Sequence, residues 1–413
     1  TRTDAMLLLT STLPLLGLFA PAKPPPPLLV CTTAASLEGM AFCRHALRTP
    51  GEFRVRAVVR NPESSRALQL ESMGAELVVA DNHDRDSLVS ALDGAHGLYA
   101  ITTWSGSSFQ ADGTVVRSDN LDPHHLEESE VAQGLNILHA AERTPTLQHY
   151  LLQSMHRGGR EPVDASVEAP LHHRAKWRQE EALLESTALG AARSILRQPT
   201  YLENFANDVT AARGTKLRLV QPGVISGLLA ADEELTVISV DDLGALAVGM
   251  LREGPSAYDG RTLSAAAARI SGRRLAEACS RVHGRTDFAY KQVPWFVLRF
   301  LIPVDYPLQL QRWLSRGRND EGADRDGARA RDLIAECAAL HPQMTSLDEW
   351  LRKQGVDSMP MPPRSAADEA RHRAAQAARG VRLAALTTAR TVSRQPERLL
   401  ARSFRLRSPD GEA

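Results

Sequence analysis

The sequence has little of several things that would have decided its class at once. Its four cysteines, Cys31, Cys43, Cys279 and Cys337, are widely spaced and form neither a zinc-ligand pattern nor a disulfide framework. They read as small buried hydrophobes in a reducing compartment. Net charge is zero, which argues against wholesale nucleic-acid binding. No apolar run is long enough to span a membrane; the nearest, Met6–Ala22, is short and broken by proline. Lysine is scarce, with only Lys23, Lys176, Lys216, Lys291 and Lys353, so each one merits inspection. Glycine is missing where an α/β protein most often needs it. The stretch Leu28–Leu47, LLVCTTAASLEGMAFCRHAL, has the layout of a buried strand, a small-residue turn and a helix. That layout cradles a dinucleotide pyrophosphate, yet of the three expected glycines only Gly39 is present, with Thr33 and Ser36 at the other two places.

What is there is ordinary globular protein. The 413 residues are 43% hydrophobic and 24% charged, enough for a full core and by length for two or three domains. The neutrality conceals an asymmetry: residues 361–413 hold 11 arginines against 5 acidic residues, so the tail is +6 and the body −6. Residues 1–27 form an extension. Thr1 in place of Met points to a fragment or processed product, and Ala20-Pro21-Ala22 resembles the cleavage site of a targeting segment, with a packed or disordered extension as the alternative. Compartment is thus cytoplasmic or organellar. Lys23–Pro27 is a stiff spacer.

The body alternates strands and helices. Strands are expected at Leu28–Cys31, Arg54–Val59, Ala75–Val79, Gly94–Thr102, His149–Ser154 and Ala192–Leu196, with helices between them, including Glu127–Ala141 and His172–Ser186. Such alternation means parallel crossovers and a sheet covered on both faces: an α/β, doubly wound parallel-sheet Rossmann fold. From residue 199 the pattern loosens into short strands (Leu217–Val220, Leu235–Val240, Arg261–Ser264), a helix at Asp241–Met250 capped by Asp241 or Asp242, and apolar helices at Trp295–Leu301 and Leu308–Leu314. These are expected to form a small C-terminal α/β lobe, mainly 199–354, over the carboxyl edge of the sheet. Residues 105–125 read as a long polar loop, and 355–413 as a basic Ala/Arg-rich tail suited to an acidic protein partner, an anionic membrane or mere solvation.

The segments VRAVVRNPES (55–64), GAELVVADNHDRDSL (74–88), EVAQGLNILHAA (130–141), HYLLQS (149–154), HHRAKWRQEEAL (172–183) and SILRQPTYLENF (194–205), in this order and spacing, resemble the NmrA-like family. This is an atypical branch of the short-chain dehydrogenase/reductase superfamily that includes reductases, NADP(H)-sensing regulators and proteins of unknown role. The resemblance implies a cofactor turn at Thr33, Ser36 and Gly39, where threonine and serine carry β-carbons that obstruct positive φ and close phosphate approach. Glu38 adds a negative charge in the first helical turn, in competition with a pyrophosphate. The resemblance further implies an adenosine 2′-phosphate contact at Arg60, which favours NADP(H) over NAD, adenine contacts at Asp81 and Asn82, and passage of the cofactor by Thr102 and Ser154. Lys176 is the implied catalytic residue, without the tyrosine that stands four positions earlier in short-chain dehydrogenases; His172 occupies that place on the same helix face, where it could shuttle a proton. Tyr201, Glu203 and Asn204 shape the pocket. Three functions are open: an NADPH-preferring oxidoreductase on a small carbonyl or conjugated substrate, a non-catalytic NADP(H)-sensing regulator, or a cofactor-poor scaffold.

Overall fold

The structure, a computed structural model, describes residues 24–104, 107–109, 115–117, 123–157, 169–205, 220–221, 223–227, 229–285, 288–293 and 328–359. The expected N-terminal extension before residue 24, the basic tail beyond residue 359, and the apolar helices at 295–301 and 308–314 lie outside it, while Val356, the second residue of the expected tail, is buried in the core of the C-terminal lobe.

The chain enters the fold as β1 (Leu28–Cys31), all four residues of which are buried, as a central parallel strand requires. Next come α1 (Leu37–Ala46), β2 (Arg54–Val59), α2 (Ser65–Ser72), β3 (Glu76–Val79), α3 (Arg85–Ala91) and β4 (Gly97–Ala100). A short hairpin, β5 (Ser107–Phe109) and β6 (Val115–Arg117), occupies part of the expected polar loop and leads to α4 (Pro123–Glu142), β7 (His149–Met155), α5 (Leu171–Glu185) and β8 (Ala192–Gln198). A parallel seven-stranded sheet results, in the order β13-β8-β7-β4-β1-β2-β3, where β13 is Thr262–Ser264. The order reverses direction at β1, between β2 and β4. Ligands of such sheets bind outside the carboxyl ends of the strands at that reversal. Leu29, Cys31, Tyr99 and Leu151 face one layer of core, and Leu28, Val30, Leu98 and Tyr150 the other, so consecutive residues of one strand serve opposite faces.

Three further elements, β9 (Thr200–Tyr201), β10 (Val220–Gln221) and β11 (Val224–Gly227), follow β8. After them come β12 (Glu234–Ile238), α6 (Val240–Glu253), α7 (Pro255–Tyr258), β13, β14 (Ala268–Ser271), α8 (Gly272–His283), β15 (Ala289–Gln292), α9 (Ala328–Leu340) and α10 (Leu347–Lys353). Two three-stranded sheets, β10-β11-β15 and β14-β12-β9, pack with α8 and α10 around a third core that includes Ile225, Val237, Leu275 and Trp350. Two pieces that the sequence reading gave to this lobe belong instead to the main sheet. Thr262–Ser264 pairs in parallel with β8 as the edge strand, and α6 lies on α1, where a β-carbon on Gly244 would come within 2.7 Å of the Ala41 β-carbon. The expected aspartate cap of α6 is corrected as well. Ser239 is the N-cap, its Oγ accepting from Asp242 N at 3.0 Å. Asp242 is buried and accepts from Thr345 N at 3.0 Å, which ties the segment before α10 to α6.

Gly39 is required by space. A β-carbon there would lie 2.6 Å from the Ala34 Cα and carbonyl oxygen, backbone atoms that cannot rotate away. Gly39→Ala should therefore destabilise the chain by roughly 1–3 kcal/mol, as overpacking does; urea unfolding of full-length protein measures it, and an unchanged midpoint would contradict the close approach.

Candidate functional site

The turn after β1 does something the sequence reading did not allow for. Thr33 adopts φ +51, and is the sole non-glycine residue with positive φ among the described residues. The glycine conformation is thus retained despite the β-carbon, at a strain of about 1 kcal/mol. Its side chain is wired to offset that strain: Thr33 Oγ1 donates to the Ile101 carbonyl at 2.9 Å and accepts from Asn82 Nδ2 at 3.0 Å. Ser36 is the N-cap of α1, its Oγ accepting from Gly39 N at 3.0 Å. That bond satisfies one of the free N–H groups that an anion at this helix end would use. The turn keeps its path and gains two side chains.

Two cavities open along the carboxyl edge of the sheet. One, of about 400 Å³, lies over β2 and β3 beside the turn and is lined by Ser36, Arg60, Arg66, Asp81, Asn82 and Gln133, among others. Arg66 is anchored by donation from Nη1 to the Ala35 carbonyl at 3.0 Å, and Arg60 sits under the opposing charge of Asp81. The second, of about 460 Å³, lies between β7, α5 and the C-terminal lobe. Glu38, His156, His172, His173 and Tyr201 line it together with apolar residues such as Leu235 and Ile270.

Between the cavities runs a buried polar network. Lys176, 1% exposed, donates from Nζ to the Thr102 hydroxyl at 2.8 Å, the Thr102 carbonyl at 3.2 Å and Gln153 Oε1 at 3.1 Å. It lies 3.4 Å from Glu130 Oε1. Glu130 is fully buried; its Oε2 meets His172 Nδ1 at 2.6 Å, and its Oε1 accepts from Thr102 Oγ1 at 3.0 Å. Burial alone would raise the Glu130 carboxyl, but His172 and Lys176 outweigh it and the group is held below its usual range. Burial lowers the Lys176 ammonium, with Glu130 opposing. The neighbouring His173 is pushed down to about 3 by burial, with His172 and His156 adding to the effect, so it stays neutral at physiological pH.

The structure thus brings Thr33 and Asn82 into direct contact and joins Thr102, Lys176 and His172 through Glu130, while Arg60 and Asp81 flank the first cavity. It sets Lys176 inside the network rather than on a cavity wall, and leaves His172 as the member that lines the second cavity. Ser154 is completely buried, its Oγ without a hydrogen-bond partner among the described residues, and it lines neither cavity. Glu203 turns out to be a bracket for the lobe: it accepts from Val240 N at 3.0 Å and from Trp350 Nε1 at 3.1 Å. Glu130 is the member that sequence reasoning passed over. Its signal was present, because Glu127, Glu130, Gln133 and Asn136 follow one another at three-residue steps, and all four are buried. A polar stripe at helical spacing on an otherwise apolar element marks a network, not a solvent face.

The NmrA-like family model matches residues 28–351. The chain belongs to the NmrA-like family. Among curated relatives, an NmrA-like family domain-containing oxidoreductase of Aspergillus hancockii is 34% identical over 80 residues, 19% of this chain and 24% of that protein. Another, from Aspergillus sp. (strain MF297-2), is 28% identical over 121 residues, 29% of this chain and 32% of that protein. The matches therefore span about a quarter to a third of the relatives' length. Among solved structures, NmrA, a negative transcriptional regulator, in complex with NAD superposes with a TM-score of 0.61 at 17% identity, covering 80% of this chain and 95% of that one. The Citrobacter sp. triphenylmethane reductase complexed with NADP(H) gives 0.56 at 19%, covering 79% and 99%. These likenesses establish the Rossmann-like fold of this NmrA-like chain. Among the described residues no helix is long and apolar enough to cross a membrane, and no cluster of metal-ligating side chains occurs.

Lys176→Met should leave Glu130 buried without its ammonium, lowering stability at neutral pH by roughly 3–5 kcal/mol. The sign with pH follows from the depressed Glu130 carboxyl. Its contribution is present above the ordinary carboxylate value of 4.5 and lost as pH falls below it. Without Lys176 the opposing effect of burial raises the Glu130 carboxyl, so the acid loss should shrink or reverse and the variant should be less destabilised at low pH than at neutral pH, which thermal unfolding across pH 3–7 reads directly.

Proposed function

We propose that this chain binds NADP(H) and reduces a small, largely apolar substrate. The observation that carries the reading is the pair of arginines, Arg60 and Arg66, on one cavity at the carboxyl ends of β2 and β3, with Asp81 and Asn82 beside them. Guanidinium groups recognise phosphate by charge and by paired N–H donors. Arg60 and Arg66 would hold an adenosine 2′-phosphate, Asp81 and Asn82 the adenosine, and the α1 N-terminus the pyrophosphate, with Ser36 Oγ yielding Gly39 N–H to it. The residues fit this group because Thr33 keeps the left-handed turn and Gly39 the close approach.

When bound, the nicotinamide supplies hydride. The chain's own part is to seat a substrate in the second cavity and to manage charge there. His172 Nδ1 is anchored on Glu130, which fixes the ring so that Nε2 can exchange a proton with a substrate atom in the cavity. Lys176 works through Glu130 and Thr102 as a positioning residue. A second reading, a nucleotide sensor without turnover, draws support from the same burial of Lys176, which lines neither of the two cavities.

Calorimetric titration tests the binding. NADPH should bind in the micromolar range and weaken at least tenfold in Arg60→Ala, while NADH is little affected; absence of NADPH binding up to millimolar concentration would end both readings. Turnover separates them. His172→Asn should lower kcat by roughly 10²–10⁴-fold in a reductase, with NADPH affinity unchanged, whereas a sensor shows no turnover to lose.

A further inference from the structure

The second cavity ends, on the lobe side, at a side chain that it shares. Tyr290, on β15, lines it together with Gly227, Leu229 and Gly272. The same tyrosine lines an outer cavity of about 680 Å³ in the C-terminal lobe. Among the described residues, Tyr290 alone belongs to both walls. Its seat is made by two glycines. A β-carbon on Gly227, at the end of β11, would lie 2.8 Å from Tyr290 Cε2, and one on Gly272, at the start of α8, 2.5 Å from its Cδ2. The ring is also pinned at its tip, where Oη donates to the Leu229 carbonyl at 2.7 Å. Beyond the ring, Ala276, Phe288 and Ala289 give the outer cavity an apolar surface. Its two arginines are engaged by carboxylates, Arg273 by Asp232 at 2.6 Å and Arg281 by Asp348 at 2.8 Å.

We propose that Tyr290 is a specificity-determining residue: it shuts the second cavity off from the outer one and so sets the greatest length of apolar molecule that the second cavity accepts. A chain growing into an apolar cavity gains about fourfold in affinity for each methylene taken out of water. That gain stops where the chain meets a wall that does not yield. Tyr290 is such a wall, because leaving its slot would forfeit both the close packing on two glycines and the bond to Leu229. With the ring removed, the slot leads into the outer cavity, and a longer chain finds apolar surface again. The inference deepens the reductase reading and rests on it only for treating the bound molecule as a substrate; the length limit itself requires no nucleotide.

The test is equilibrium binding of the phenyl alkyl ketones from acetophenone to decanophenone to the full-length protein, read by displacement of N-phenyl-1-naphthylamine without added nucleotide. Affinity should rise about fourfold per methylene and then level off within the series. In Tyr290→Ala the rise should continue, so that the longest ketone binds roughly tenfold or more tighter than to the unaltered protein. Tyr290→Phe, which keeps the ring, should keep the limit. Adding Ala289→Trp to Tyr290→Ala, which fills the outer cavity, should restore it. Thermal unfolding shows that each variant is folded, and Tyr290→Val, a residue suited to a strand, replaces Tyr290→Ala if that variant is not. Absence of ketone binding, a rise without limit in the unaltered protein, a limit unmoved by removal of the ring, or an extended rise that Ala289→Trp leaves unchanged overturns the proposal. A failure of NADPH to bind or turn over leaves this result untouched, so the two readings fail separately.

Discussion

An ammonium group buried at the carboxyl edge of a parallel sheet must be neutralised where it lies, and in this chain Glu130 does it. The Lys176–Glu130 contact at 3.4 Å joins α5 to α4, and through Thr102 and Gln153 it reaches the ends of β4 and β7. Four elements are thereby tied together at that edge by polar side chains. Charge in such a place is expensive unless every partner is present. That requirement makes the network specific. Thr102, Gln153, Gln179 and His172 each satisfy an atom that would otherwise be orphaned, and Gly134 gives Gln179 the room to enter.

The same edge carries two cavities of different character. Over β2 and β3 the walls are polar and bear guanidinium groups; beyond β7 they are apolar and aromatic with carboxylates. The buried network stands between them and shares members with both walls: Gln133 bonds Thr103 and Asn82 on the first side, while His172 faces the second. Thr102, between the two cavities, touches Lys176, Glu130 and Gln179 together. This arrangement gives a physical reason for the buried lysine. It sets the orientation of the groups at the junction without itself being exposed.

The turn after β1 shows how a degraded motif can keep its function in the fold. A threonine in the left-handed region is strained, yet the hydroxyl that comes with it bonds Ile101 and Asn82, and Thr32 adds a second tie to Ile101 through its own hydroxyl. The backbone path is therefore over-determined by side-chain hydrogen bonds where glycine would merely permit it. Ser36 likewise converts an open helix end into a capped one, which exchanges anion affinity for helix stability.

Much of this was legible in the chain. The apolar runs at Leu28–Cys31, Arg54–Val59 and His149–Ser154, alternating with helical periodicity, dictated a parallel sheet because only crossover helices can cover such strands on both faces. The positions of Arg60, Asp81 and Asn82 at strand ends placed them on the carboxyl edge for the same reason. Tertiary structure alone decided the rest. That Thr262–Ser264 completes the main sheet depends on which edge stayed open after β8, and local sequence does not encode an edge. The partner of Lys176 was hidden because Glu130 lies 46 residues away on another helix, and only packing of α4 on α5 brings them together. Which side Glu38 faces, the phosphate cradle or the apolar cavity, was settled by the lobe that closes over the carboxyl edge and completes the cavity that Glu38 lines. Periodicity fixes which faces are buried; who meets whom inside them is a property of the assembled layers.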